Sequence, residues 1–447
     1  MQTPQKMAVV GSGLVGTLLA IYLKRAGHSV AVFDRSPDIR TVEFSGRSIN
    51  LVMSDRGWKA LKDVGLDEEI RKIGIPVDKR GIHLKDGTLI NQFYGKEGEA
   101  IFSLSRGVLN RKMIDLAEKE GVEFFFEHRI WDVNLATATL FEGETEQGAW
   151  RELKFDKVFG ADGAFSRIRH RMQRQSMFDY SQEFMQIGYK ELHIPANPDG
   201  SHKIDKNSLH IWPRGNFMLM ALANLQGSFT CTLFMPFKGE NSFETIKNEG
   251  DLTDFFAEFF PDTKEVIPDL VRDYFKNPTS YLAIMKCFPW TYEDKVALIG
   301  DSSHAIVPFY GHGMNAGFED ITVLHEMMLK YGDDWTAIFS EYEISRKPNA
   351  DAIAELSKRN FEEMSDKTAD ANFLLQKKIE KWFSDKHPEK WTPLYSRVTF
   401  SLQPYAEALA IGDFQNAIMQ EVLKTPNIHE KWDTLEVENK IIELLKG

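Results

Sequence analysis

Three short segments hold residues whose types and spacing could do chemistry. The first is Gly11-Ser12-Gly13-Leu14-Val15-Gly16, which follows the apolar strand text Lys6 to Val10 and opens a helical stretch from Leu14 to Ala26. Glycines in such a turn let the backbone approach a pyrophosphate, and the N–H groups at the helix start favour its negative charge. A second strand, Ser29 to Phe33, ends in Asp34, eighteen residues beyond Gly16. A carboxylate there would accept hydrogen bonds from a ribose and repel a 2′-phosphate. This βαβ context predicts a tightly bound FAD or NAD rather than NADP, unless neighbouring Arg35 intervenes, and it does not separate FAD from NAD.

The second segment, Phe159-Gly160-Ala161-Asp162-Gly163-Ala164-Phe165-Ser166-Arg167, is an apolar strand running into Asp-Gly and a basic helical stretch. Alone it reads as a strand and a turn. The third, Val296 to Asp320, places Asp301 at a strand end and Gly311, Gly313 and Gly317 around a helix start. An Asp there can hold a polyol chain, and the helix-start N–H groups can stabilise negative charge on a reduced ring.

The elements that must position these segments follow from pattern. Ser45 to Lys72 reads as helical, with Trp58, Leu61, Val64, Leu66 and Ile70 as its buried stripe. Lys79 to His83 and Gly87 to Gln92 read as strands around the Lys85-Asp86-Gly87 turn, and Val108 to Glu120 as a helix. Glu123 to His128, Ala136 to Phe141 and Leu153 to Gly160 supply further strands, and residues 185–285 are strand-rich. From Asp333 onward helix-forming text dominates. The uncharged run Gly215 to Phe237 is long enough to span a bilayer, but its central polar residues predict two strands around a turn.

The whole has 447 residues, enough for two or three domains and a large core. With 66 Asp plus Glu against 54 Lys plus Arg, the net charge of -12 disfavours nucleic acid and anionic lipid as partners. The two cysteines, Cys231 and Cys287, sit in apolar runs without CxxC or His spacing, so neither a disulfide framework nor a metal site is expected. A cytoplasmic setting follows, and no secretory signal is read at the N-terminus.

The ordered trio GSGLVG, GADG and IGDSSH resembles the flavoprotein aromatic hydroxylases, monooxygenases that use FAD and external NAD(P)H. Within that family, Gly46-Arg47-Ser48-Ile49-Asn50-Leu51, the run Ser103 to Arg106 with Leu109-Asn110, and PFYGHGMNAGFED are similar to the branch acting on L-kynurenine. The resemblance implies an α/β fold: an FAD-binding Rossmann-like domain of the GR2, aromatic-hydroxylase type over 1–180 and 286–330, with 73–105 contributing to the substrate pocket. It adds an interleaved β-sheet substrate domain over 181–285 and a helical C-terminal region over 331–447. It implies hydroxylation of L-kynurenine to 3-hydroxykynurenine in tryptophan catabolism, with O2, NADPH as co-substrate and a flavin C4a-hydroperoxide. A monomer or homodimer is expected.

Carried over residue by residue, the resemblance implies a substrate site of Arg80, Tyr94, Asn360 and Tyr395, the first two gripping an amino-acid carboxylate. Taken singly, these residues also read as a turn charge, two core aromatics and a helix-surface amide. For FAD it implies Gly11, Gly13, Val15, Gly16, Asp34, Arg35, Arg47, Arg106, Ile130, Asp301, Met314 and Asn315. No side chain is expected as acid, base or nucleophile, since the flavin carries the chemistry. One departure stands out: His312 occupies a position where the family usually has Gln, and a histidine beside the flavin would titrate near neutrality. Mammalian relatives carry a C-terminal membrane anchor; the charged WDTLEVENKIIELLKG predicts none here. The alternatives are a hydroxylase of another aromatic acid, a flavin reductase or dehydrogenase of the same fold, and a non-enzymatic flavin-binding scaffold.

Overall fold

A computed structural model describes residues 3–42, 50–94, 98–365 and 370–446. The βαβ start forms as the pattern dictates. Strand Lys6–Val10 pairs in parallel with Ser29–Phe33 on one side and with Lys157–Gly160 on the other, and helix Leu14–Arg25 packs its aliphatic face on them. The full sheet has six strands in the order Thr291–Tyr292, Val296–Leu298, Lys157–Gly160, Lys6–Val10, Ser29–Phe33 and Glu123–Phe125. The second and third motifs leave the C-terminal ends of Lys157–Gly160 and Val296–Leu298. All three motifs therefore converge on one edge, where ligands bind in open parallel sheets.

A second sheet of seven strands runs Ser280–Phe288, Asp179–Ile194, Phe229–Pro236, Met218–Ala223, Ser208–Pro213, Lys79–His83 and Leu89–Phe93. It is antiparallel except where Ser208–Pro213 pairs in parallel with Lys79–His83. That pairing draws an early segment of the chain into a sheet built mostly from the middle. Its even face, with His210 and Trp212, packs on helices; its odd face, with Leu209 and Ile211, faces a cavity and the long helix Trp335–Ser365. The uncharged run from Gly215 forms strands Met218–Ala223 and Phe229–Pro236, and among the described residues no helix is long and apolar enough to cross a membrane. Helices Ala371–Lys386, Tyr405–Leu423 and Leu435–Leu444 enclose a small core of their own around Trp391.

Several sequence expectations need correction. Leu153 to Gly160 is not one strand: Arg151–Lys154 belongs to a three-stranded sheet and Lys157–Gly160 to the six-stranded one. The chain changes sheets at Asp156, whose carboxylate accepts the Lys6 N–H at 2.7 Å. The 45–72 stretch is no continuous helix. After strand Leu51–Met53, helices Asp55–Asp63 and Asp67–Arg71 are separated at Gly65, which has φ +54. Trp58, Leu61, Val64, Leu66 and Ile70 are nonetheless all buried. Glu123–Phe125 ends three residues early, Thr139–Glu142 replaces the 136–141 strand, and strand Ile130–Asn134 was not anticipated. Helices Glu249–Phe259 and Leu270–Lys276 interrupt the strand-rich middle. Cys231 and Cys287 are buried free thiols, and the described residues contain no cluster suited to a metal ion.

Candidate active site

The glycines of the first motif divide into two kinds. Gly11, at φ +110, lies so close to the Ala161 turn that a Cβ would collide with the Ala161 carbonyl, and a Cβ on Gly16 would collide with the carbonyl of Gly11. These two allow helix and strand to meet at backbone contact. Around Gly13, by contrast, a Cβ would find nothing within 4 Å. Gly13 precedes a helix whose first turn has neither a side-chain cap nor an acidic residue, and it lines a cavity of about 480 Å³.

A second uncapped helix start reaches the same cavity. Helix Gly313–Tyr331 also lacks an acidic first turn, and Gly311, Gly313 and Met314 line the cavity wall. The two sets of N–H groups add positive potential to that of the arginines on its wall. Val15, Asp34, Arg35, Arg106, Ile130 and Asp301 line it as well. The Asp34 carboxylate accepts the Ser12 N–H and the Ser36 N–H, both at 2.8 Å, which fixes it at the end of its strand. Asp162, also on the wall, accepts the Arg167 N–H at 2.6 Å, and burial raises its pKa. Two uncapped helix starts, an open glycine and a strand-end carboxylate fit an extended dinucleotide such as FAD.

Toward the seven-stranded sheet the cavity becomes apolar, lined by Leu209, Met220, Leu222, Phe234, Phe309 and Met364, and it ends at Arg80. This guanidinium is buried, lies 4.8 Å from the Tyr395 ring centre and 5.7 Å from that of Tyr94, and approaches Glu363 at 3.6 Å. Burial opposes its charge, but Tyr395, Tyr94 and Glu363 outweigh that and hold its pKa above the ordinary value. Arg80 Nε and the Tyr94 hydroxyl are both buried without a full hydrogen bond. Tyr94 stacks on Tyr395 at 5.0 Å and Tyr395 on Tyr310 at 5.6 Å. Asn360, on the long helix, donates its amide to the Phe309 carbonyl at 2.7 Å. Tyr310, Asn360 and Tyr395 also face a second cavity, lined mainly by polar side chains between the C-terminal helices, so they form a partition.

The structure thus brings Arg80, Asn360 and Tyr395 to the cavity wall, with Tyr94 one layer behind. Gly16 and Asn315 do not line it. The Asn315 side chain is spent elsewhere, accepting the Ser54 N–H at 2.9 Å and donating to the carbonyls of Val52 and Gly311. Arg47 lies outside the described residues. His312 does not face the cavity either: it is fully buried, with Nδ1 at 2.8 Å from the Tyr405 hydroxyl. Burial, aided by the Arg56 guanidinium, pushes its pKa down to about 3, so the neutral-range titration expected for it does not occur. Glu363 and Tyr310 were missed. Glu363 follows Asn360 by three residues on one helix, a spacing that shares a face and could have revealed it.

Comparison with known proteins is consistent with this geometry. A family profile described as FAD binding domain matches residues 5–357. A kynurenine 3-monooxygenase of Flavobacterium johnsoniae is 72% identical over 446 residues, covering 100% of both chains. The chain belongs to the kynurenine 3-monooxygenase family. A relative of that name from Christiangramia forsetii is 63% identical over 100% of both chains. One from Dictyostelium discoideum is 41% identical over 94% of this chain and 93% of its own. Among solved structures, 2-methyl-3-hydroxypyridine-5-carboxylic acid oxygenase matches with a TM-score of 0.67 at 17% identity, covering 80% of this chain and 93% of that one. PqsL of P. aeruginosa matches at 0.66 and 19%, covering 83% and 100%. At such identities these two show the fold. The chain is an FAD-binding oxidoreductase with the aromatic-hydroxylase architecture.

Two predictions follow from the glycines and from His312. Gly16→Ala should lose about 1–3 kcal/mol of stability through overpacking, whereas Gly13→Ala should stay within about 0.5 kcal/mol of the native protein yet bind FAD at least about tenfold more weakly. Urea unfolding and flavin titration of the apoproteins measure both, and native FAD affinity in Gly13→Ala would contradict the assignment. For His312, the unfolded chain takes up a proton near pH 6.5 that the folded chain refuses until about pH 3, so this residue lowers stability as pH falls through that window. His312→Gln should remove up to about 1.4 kcal/mol per pH unit from the slope of unfolding free energy against pH. An unchanged slope between about pH 4 and 6 would refute it.

Proposed function

We propose that this chain hydroxylates L-kynurenine to 3-hydroxykynurenine, consuming NADPH and O2 with FAD as its bound cofactor. What carries the reading is the buried Arg80 guanidinium on the wall of a cavity whose sheet side is mainly apolar and which both uncapped helix starts also line. An amino-substituted aromatic amino acid matches that polarity: a ring for the apolar wall and a carboxylate for a guanidinium whose Nε has no partner. Glu363, 3.6 Å from Arg80, balances the guanidinium from the side of the second cavity. Kynurenine 3-monooxygenase relatives at up to 72% identity over the whole chain support the same substrate.

FAD, when bound, supplies hydride acceptance from NADPH and oxygen activation. Gly13, Asp34, Arg35, Arg106 and Asp301 would hold it, with the two helix starts facing its negative charge. Arg80 orients the substrate by its carboxylate, Tyr94 backs Tyr395 from one layer behind, and Asn360 and Tyr395 close the pocket at the Arg80 end. The aniline nitrogen already activates the ortho carbon, so no side-chain base is required; the protein contributes position and a dry wall.

NADPH oxidation coupled to oxygen uptake should rise on addition of L-kynurenine and yield 3-hydroxykynurenine by mass spectrometry. Turnover with a phenolic acid but not with kynurenine would overturn the assignment. In the same assay Arg80→Ala should raise KM for kynurenine about ten- to hundredfold, the scale of a charged hydrogen bond.

A further inference from the structure

Beneath the third motif lies a chain of charged groups that none of the roles above uses. Asp320, fully buried on helix Gly313–Tyr331, accepts three donors: the Gly300 N–H at 3.0 Å, His304 Nε2 at 2.6 Å and Arg346 Nε at 2.8 Å. Arg346, buried on the long helix, also donates to Glu319 at 2.6 Å and to the Ala316 carbonyl at 3.3 Å. Glu319 takes a further bond from Arg56, whose guanidinium lies 3.9 Å from the Tyr405 ring centre.

Two of the three Asp320 donors belong to the turn that carries Asp301. Gly300, at φ +63, packs against Val15 of the first helix, where a Cβ would come within 3.1 Å of the Val15 side chain. Gly317, one turn before Asp320, meets the same valine. From the other side, Ser302 accepts the Ile299 N–H at 3.2 Å, and its carbonyl takes Arg169 Nη1 at 2.8 Å. The turn is thus gripped on both faces while the Asp301 side chain stands free on the cavity wall.

We propose that Asp320 is a positioning residue for the cofactor: by holding the Gly300 N–H and the His304 ring from behind, it aims Asp301 into the cavity. The inference rests on the FAD reading of that cavity. The chemistry of the donors makes it specific. Both carboxylate oxygens of Asp320 face donors, Gly300 and His304 on Oδ2 and Arg346 on Oδ1. An isosteric Asn must therefore point its NH2 at a donor whichever way it is flipped. Burial pushes the Asp320 carboxyl up, but His304 and Arg346 outweigh that and bring it to about 2, so it stays ionised under assay conditions.

The test is the FAD dissociation constant of apoprotein, read from flavin fluorescence, for the native chain, Asp320→Asn, Asp301→Ala and the double variant. Each single change should weaken FAD at least about tenfold, and the double variant should bind no more weakly than Asp301→Ala, because the first residue acts through the second. Native affinity in Asp320→Asn, or effects that multiply, would overturn the proposal. Glu343→Gln is the comparison for general damage: Glu343 is a partly buried carboxylate of the same long helix that holds the Trp290 and Thr291 N–H groups. It should lower the melting temperature yet keep native FAD affinity; a matching loss of FAD would count against a positioning role for Asp320. If Asp320→Asn does not fold, His304→Phe serves instead. It keeps the ring beside Trp290, at 5.0 Å, without the donor, and its loss of affinity should likewise not multiply with Asp301→Ala. A native chain that binds no FAD would strike the cofactor reading itself, a result separate from all of these.

Discussion

A guanidinium cannot shed its charge in a protein, so burying Arg80 obliges everything around it to answer that charge. Removing such an ion from water costs several kcal/mol unless partners offset it. The offset here is partial: two tyrosine rings, Glu363 at 3.6 Å, and an Nε left without an acceptor. A site that holds a permanent cation with spare hydrogen-bonding capacity is prepared for an anion. The architecture follows from supplying those partners. Arg80 is held between strands Ser208–Pro213 and Leu89–Phe93, while Glu363, Asn360 and Tyr395 come from helices far along the chain. The C-terminal helices thereby complete a pocket that the two sheets leave open.

The two ends of the cavity work by different physics. At the dinucleotide end much of the attraction comes from backbone, with two helix starts beside Arg35 and Arg106 and a glycine that keeps side-chain atoms out of the way. At the other end it comes from side chains fixed by stacking, Tyr94 on Tyr395 on Tyr310. Between them the wall is mainly apolar, and a stray charge is disfavoured there. In the proposed function, that gradient would set the substrate in one direction, ring toward the flavin and charged tail toward Arg80.

Legibility in the sequence tracked the distance over which each feature is decided. The Gly11 to Gly16 turn, its flanking strands and Asp34 were readable because strand, turn and helix signals lie within thirty residues. Arg80, Asn360 and Tyr395 were not: they are 280 or more residues apart except for the last two, and only family resemblance united them. Asn315 and His312 show the limit of motif reading. Both sit in the glycine-rich helix start, yet their side chains turn inward to Ser54 and Tyr405, a matter of burial that spacing does not encode. The split at Asp156 depends on a partner 150 residues away. Helix Glu249–Phe259, by contrast, did leave a signal in the Asn248 cap, which accepts the Asp251 N–H at 3.1 Å.

The most direct measurement compares the dissociation constants of L-kynurenine and its decarboxylated amine for the oxidised holoenzyme, read from perturbation of the flavin spectrum. Recognition of the tail by Arg80 predicts that the amine binds at least about tenfold more weakly, since it loses a charged hydrogen bond and leaves the guanidinium unanswered. Equal affinities would contradict the account, because the buried cation would then have no part in holding the substrate.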